Sequence, residues 1–390
     1  MHQDSFKNVL DEPLTHRINE VAQTLNESED FHSPIVWRNA IPQLAAIDLP
    51  VRFGGSPLTT MQMMSVFRTF GRLSLDLRDV PGLGHGRMLT LPADSDSFAP
   101  FVHRIANAKS FLAICVTEES AGTDLHALQT TAVRVPGGYE LTGAKCFVAR
   151  LRQADIFIIF ARHPEWKQGL TAFLVETNAR GITIRDIASL GLKGISWGAV
   201  TLDRVFVPNA QRIGEEGQAF ALFSQHFTYW RCAMAAAATG AAEVAMEKAK
   251  ERLHRRTAFW APIGRFSHLQ QQYAIHASRL HMAWLLINEA ASRIDGGHDS
   301  YVDAAMAKAE AVEICLEAVQ WSMQVHGAHG YSVVAGLEKT LRDLLGLRIA
   351  DGTTDVLRGQ VARGLLSEEL YARSIGRPVK RSQTIERNLW

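Results

Sequence analysis

Apolar positions along the chain change period twice. In residues 1–110 they recur at helical spacing, as in Ile18-Val21-Ala22-Leu25 and Met61-Met64-Phe67-Phe70, with loops such as Phe53-Gly54-Gly55-Ser56-Pro57 between them. Over 111–216 the pattern shifts to short runs of β-branched and aromatic residues, Ile156–Phe160, Thr171–Val175 and Ala199–Leu202 leading into Val205–Pro208. Val133–Val135 and Tyr139–Leu141 flank Pro136-Gly137-Gly138, which predicts a hairpin. From 217 to 370 helical spacing returns in four segments, 218–257, 266–294, 300–326 and 336–370, interrupted by Gly296-Gly297, Gly327–Gly330 and Asp351-Gly352. The expected fold class is therefore α+β and multidomain, with an N-terminal helical domain, a middle β-domain and a C-terminal bundle of long antiparallel helices. The basic tail 371–390, with Arg373, Arg377, Lys380, Arg381 and Arg387 against Glu386, reads as a solvated or subunit-packing segment.

Composition narrows the chemistry mainly by exclusion. The chain has 390 residues, 47% of them hydrophobic, enough for a large core. Its 41 basic against 40 acidic side chains leave a net charge of +1, which gives no electrostatic reason to expect a nucleic acid or an anionic membrane as partner. The Ala-rich stretch Cys232–Ala242 is too short to span a bilayer, and Met1–Lys7 has neither a basic start nor an apolar run, so a cytoplasmic location is expected. Cys115, Cys146, Cys232 and Cys315 lack the spacing of a zinc site or a redox dithiol and are expected to be reduced thiols. His326-x-x-His329 has no third ligand in view, so it reads as turn packing and no metal site is expected. Gly82-Leu83-Gly84-His85-Gly86 lacks the spacing and strand-to-helix context of a dinucleotide fingerprint, and no phosphate loop is present, which argues against a nicotinamide enzyme.

Two segments carry candidate chemistry. Cys115–Asp124 pairs a strand end with a small-residue turn rich in hydroxyls and backbone N–H groups, and Ile349–Arg358 sets one carboxylate, Asp351, before a Gly-Thr-Thr helix start. Taken singly, each has a plain alternative: a capped turn around Thr117 and Thr123, an N-cap at Asp351, and solvated arginines at 231 and 256. Taken together, in order and spacing, these segments resemble the acyl-CoA dehydrogenase family, most specifically over residues 110–370.

That resemblance implies a helical N-terminal domain, a β-barrel-like middle domain and a C-terminal four-helix bundle, with FAD bound across a subunit interface. Thr117 and Thr123 match positions that contact the flavin, Phe147 matches the aromatic flanking its ring, and Ala149 stands where the family has a hydroxyl for N5. Arg256-Thr257-Ala258-Phe259 resembles an Arg-x-Thr-Phe that reaches the neighbouring subunit's flavin; Gln324, Gly327 and Ala328 belong to a turn on the adenine side of that same cofactor. Asp351-Gly352-Thr353-x-Asp355 resembles the segment bearing the catalytic base, with Gly352 beside substrate and Thr353 and Asp355 toward cofactor. Arg231 matches an arginine near the thioester, and Trp230 stands where some subfamilies carry their base. The implied reaction is α-proton removal from an acyl thioester, on CoA or a carrier protein, with hydride transfer to flavin N5. Reoxidation would be by an electron-transfer flavoprotein or oxygen, in a dimer or tetramer. Departures keep two other readings open. Asp replaces the family's Glu at 351 and Arg358 follows seven residues later, as in nitroalkane oxidases of this fold; Ala149, Ala258 and Ser267 instead suit a flavin-binding protein without catalysis.

Overall fold

In a computed structural model, which describes residues 12–25, 34–163 and 169–366, the changes of period coincide with changes of element type. The basic tail lies outside the described residues. The N-terminal part holds α1 (Glu12–Leu25), α2 (Pro34–Ala40), α3 (Thr60–Leu73) and α4 (Ala99–Ala106), joined by short 3₁₀ turns. Thr59 opens α3 with a reciprocal capping box to Gln62, and Met64, Phe67 and Phe70 are buried on its inner face while Met61 is exposed.

Two four-stranded sheets follow. One runs in the order β1 (Leu112–Cys115), β4 (Ile156–Ala161), β5 (Thr171–Glu176), β8 (Arg212–Ile213), with β1 and β4 parallel and the rest antiparallel; the other is β2 (Thr131–Val135), β3 (Gly138–Ala149), β7 (Trp197–Pro208), β6 (Ile182–Asp186), antiparallel throughout. The expected hairpin is present, Val135 pairing with Gly138 across Pro136-Gly137, where Gly137 supplies a φ of 83°. Strand β4 shows why its sequence is continuously apolar. Phe157, Ile159 and Ala161 join the core shared with the second sheet, whereas Ile156, Ile158 and Phe160 pack against Phe98, Val102 and Ile105 of the N-terminal part. A bridge from Thr131 to Arg162 ties the two sheets at one corner, giving the region its barrel-like form.

The remainder is helical: α5 (Ala219–Arg255), the small hairpin β9 (Thr257–Ala258) and β10 (Ala261–Pro262), α6 (Ser267–Asp295), α7 (Tyr301–His326), α8 (Ala328–Tyr331), α9 (Leu337–Ile349) and α10 (Thr354–Leu365). The Ala run of α5 is fully buried because small side chains let α3 and α7 approach closely. Gly71 and Gly240 are the points of tightest approach, where a Cβ would sit 1.9 Å from the Ala237 carbonyl oxygen and 2.0 Å from that of Arg68. All four cysteines are free thiols, three of them buried. No described helix is long and apolar enough to cross a membrane.

This packing yields a stability prediction. Gly240→Ala forces α3 and α5 apart against backbone, so urea denaturation should show a loss of about 1–3 kcal/mol, as other overpacked core positions do, whereas the same change at the open Gly359 should have little effect.

Candidate active site

The loop Ala350–Thr353 joins α9 to α10. Thr353, and not Asp351, caps α10, its hydroxyl accepting from Val356 N at 3.3 Å. Asp351 and Gly352 are both left-handed, with φ of 60° and 101°. Glycine suits position 352 because L side chains rarely adopt a φ of 101°, and a Cβ there would also push on the end of the Leu357 side chain. Two cations hold the carbonyls of this pair: Arg231 Nε donates to Asp351 O at 3.2 Å, and Lys308 Nζ donates to Gly352 O at 2.7 Å. The Asp351 carboxylate and backbone N–H have no hydrogen bond among the described residues, so both are available to a ligand. Burial holds the Asp351 carboxyl above the usual aspartate range, against the opposing pull of Lys308, Arg78 and Arg231 and together with repulsion from Asp79.

Around this loop the expected Arg231 and Trp230 are joined by His85, His226 and Tyr301, which carry no signal in the sequence. Arg231, buried beneath the loop, lies over the Tyr301 ring at 5.1 Å and keeps Nη1 without a partner. On its other side Trp230 packs 4.5 Å from the ring of His85, whose Nδ1 is 2.9 Å from His226 Nε2. Burial drives His85 down to about 4 and His226 well below its ordinary value, so the pair is neutral at physiological pH and shares one proton between facing nitrogens. The contacts of His85 link residues more than a hundred positions apart, and no local spacing announces them.

The β-region brings the second group together. The turn after β1 is closed by paired backbone bonds between Glu118 and Ala121, and Cys146 N donates to Thr117 O, which seats the turn against β3. Glu118 anchors it from within: its carboxylate accepts from Gln129 N, from Thr130 N and Oγ1, and from Lys145 Nζ at 2.8 Å. Thr117 is half-buried and Thr123 exposed, and the N–H groups of Gly122 and Thr123 are unused among the described residues. Phe147 is 49% exposed with φ 58°, stacked at 5.0 Å on Trp197. Ala149 lies beside it, half-buried and opposite Trp197 in the β3–β7 ladder; the next residue, Arg150, turns inward to pair with Asp79.

A third group sits at the far end of α5. Lys248, Arg252, Arg255, Arg256, Thr257, His326 and His329 line one cleft of about 560 Å³, with Glu251 its sole acid. Gln324 at the end of α7, Gly327 in the α7–α8 junction and Ala328 at the start of α8 are exposed, while His326 Nδ1 is fixed on Ser322 O at 2.8 Å. Phe259 and Trp260 form the tip of the β9–β10 hairpin, and Trp260 is 100% exposed; Ala258 and Ser267 lie within and just beyond it. Arg358 is an exposed residue bonded to Glu310 at 2.8 Å and is not engaged with Asp351. Asp355, in the first turn of α10, is exposed as well.

Comparison with known proteins follows the same division. The family model for the acyl-CoA dehydrogenase middle domain matches residues 113–205, and that for the C-terminal domain matches 217–366. Benzylmalonyl-CoA dehydrogenase of Aromatoleum aromaticum is 30% identical over 370 residues, covering 94% of this chain and 97% of its own. The chain belongs to the acyl-CoA dehydrogenase family. Within that family it is also similar to the L-prolyl-[peptidyl-carrier protein] dehydrogenase of a Serratia species, 27% identical over 351 residues with 87% and 90% of the two chains covered. A solved FAD complex of PigA superimposes with a TM-score of 0.83 at 25% identity, covering 91% of this chain and 98% of that one. The residues present fit the acyl-CoA dehydrogenase cofactor on their own chemistry: an exposed aromatic at Phe147, free turn N–H groups at Gly122 and Thr123, and a cationic cleft suited to a diphosphate.

The anchored turn predicts its own weak point. Lys145 is fully buried against Glu118, and Lys145→Met leaves a buried carboxylate without its counter-ion. Denaturant unfolding should show a loss of about 3–5 kcal/mol, far more than Lys248→Met at the exposed cleft.

Proposed function

We propose that this chain is an FAD-dependent dehydrogenase of acyl thioesters in which Asp351 is the catalytic base. The observation that carries the assignment is the state of Asp351: a carboxylate with no hydrogen bond of its own, in a loop held by two cations, with helix capping left to Thr353. A carboxyl raised by burial is a stronger base than one in water, which suits removal of a weakly acidic α-proton. The free N–H of Asp351 is the natural donor to the thioester oxygen, on which charge develops as that proton leaves. Arg231, by fixing the Asp351 carbonyl, orients both groups. When bound, FAD supplies the hydride acceptor, with Thr117, Thr123 and Phe147 as its contacts in one subunit. The CoA in the name of one relative and the carrier protein in that of another leave CoA and carrier-bound thioesters as substrates of the same chemistry.

Geometry also supports a shared site. Arg231 and Arg256 lie on the single helix α5 and its cap, 25 residues apart, which at the α-helical rise is about 37 Å, longer than an extended FAD. The basic cleft at Arg256 therefore serves the cofactor of another copy, with Gln324, Gly327, Ala328 and Phe259 beside it, and the active assembly is at least a dimer.

Four measurements test this reading. Anaerobic mixing of the flavoprotein with a panel of acyl thioesters should bleach the flavin; no bleaching with any of them, combined with rapid turnover of a nitroalkane in air, would transfer the assignment to oxidase chemistry. Asp351→Asn should retain FAD while substrate-driven reduction falls by on the order of a hundredfold or more. Because the base must be deprotonated and its carboxyl is raised in the folded protein, kcat/KM should climb with pH through a limb lying above the ordinary aspartate range, and the limb should vanish in the Asn variant. Arg256→Ala should lower flavin content and dimer stability together, read by flavin absorbance and sedimentation, with the Asp351 loop unaffected.

A further inference from the structure

Lys308 is the most buried cation near the base, and beyond its bond to one loop carbonyl nothing above gives it a role. It lies on α7 with no solvent exposure, and Gly352 O is its hydrogen-bond partner among the described residues. An ammonium in that position destabilises the fold relative to a well-packed apolar side chain, so packing does not explain its presence. The loop it touches cannot hold itself. Ala350 N bonds back to Gly346 O and Leu357 N to Thr353 O, but between them Asp351 and Gly352 make no backbone bond, and their left-handed conformation is one that an aspartate adopts at some cost. The constraint therefore comes from outside, through Arg231 of α5 on one carbonyl and Lys308 of α7 on the next.

We propose that Lys308 is a positioning residue for the base: its ammonium fixes the Gly352 carbonyl, holds Asp351 in its left-handed backbone conformation, and supplies positive charge to the Asp351 carboxylate without a direct ion pair. This rests on Asp351 being the base, yet the coupling itself is a property of two side chains and exists whatever the substrate. The surrounding charges give the coupling its sign. Lys308 feels attraction from Asp351 and Glu313 and repulsion from Arg231; Asp351 feels Lys308 foremost, then Arg78 and Arg231, with Asp79 opposing. Burial brings Lys308 down to about 8, so it is still cationic at neutral pH. Removing that charge leaves the Asp351 carboxylate less compensated, and its protonation must move to higher pH.

The test needs no turnover. Infrared titration of the FAD-loaded protein, taken as the difference from the matching Asp351→Asn protein, isolates the carboxyl band of Asp351. Its midpoint is measured in wild type, Lys308→Gln and Lys308→Met. The glutamine retains an N–H donor for Gly352 O without charge; the methionine retains neither. The midpoint should rise by about one unit in both, the lower end of what a neighbouring opposite charge produces. With a thioester that bleaches the wild-type flavin, the plateau kcat should fall at least tenfold in Lys308→Met and less in Lys308→Gln, with KM changed less than kcat. An unmoved midpoint in Lys308→Gln overturns the proposal, and that variant decides alone if the methionine protein does not fold. If no thioester bleaches the wild-type flavin while the midpoint still rises, the dehydrogenase reading fails and the coupling stands.

Discussion

One uninterrupted helix sets the geometry on which everything else depends. Helix α5 carries Trp230 and Arg231 in its first half and delivers Arg256 just past its last turn. Its rigidity follows from burial: from Cys232 to Ala238 every residue is enclosed, and the glycine contacts at Gly71 and Gly240 bring α3 within backbone distance. A helix packed so tightly cannot bend to bring its ends toward one ligand. The separation of the end of α5 that touches the Asp351 loop from the cationic end at Arg256 is thus a consequence of core packing, and it supports the proposal of a site completed by a second copy.

At Asp351 the decisive balance is between burial and counter-charge. Three cations, Lys308, Arg78 and Arg231, act to keep Asp351 ionised, and burial still outweighs them. At the neighbouring Asp79 the outcome is the reverse, because Arg150 hydrogen-bonds its carboxylate directly and drives it well below the ordinary range. The two acids differ in hydrogen bonding more than in the number of positive charges nearby. A carboxylate meant to pair is bonded at once; one available to take a proton is surrounded by charge and left unbonded.

Much of this was legible in the chain. The alternation around Pro136-Gly137, the apolar run of β4 and the helical spacing from 217 onward record burial on one or two faces, and burial is what period encodes. The turn at Thr117–Thr123 and the Asp351-Gly352-Thr353 segment were legible because each is local, made by consecutive residues. The partners that give them their properties were not. Lys308 stands in an ordinary helical segment, Glu118 and Lys145 meet across 27 residues, and His85 meets His226 across 141. Sequence also left Asp351 open between a helix cap and a chemical role, and the Thr353 hydroxyl, by capping α10 itself, removes the first.

The aspartate at 351 now has a physical rationale besides its shorter reach. Compared with glutamate it withdraws the carboxylate by about one carbon–carbon bond, about 1.5 Å, which on its own argues against a base placed for the family's usual geometry. But residue 351 must adopt φ near 60°, and aspartate occupies that region more readily than longer side chains do, its short polar group being compatible with the left-handed backbone. It also has fewer rotatable bonds to order. In this chain the carboxylate's location is therefore set chiefly by the backbone, and the backbone is set by two cations from separate helices. A carboxylate positioned in that way depends less on its own rotamer than on the hydrogen bonds to the carbonyls beneath it, so what fixes its aim lies on α5 and α7, in residues that need never touch a substrate's reacting carbon.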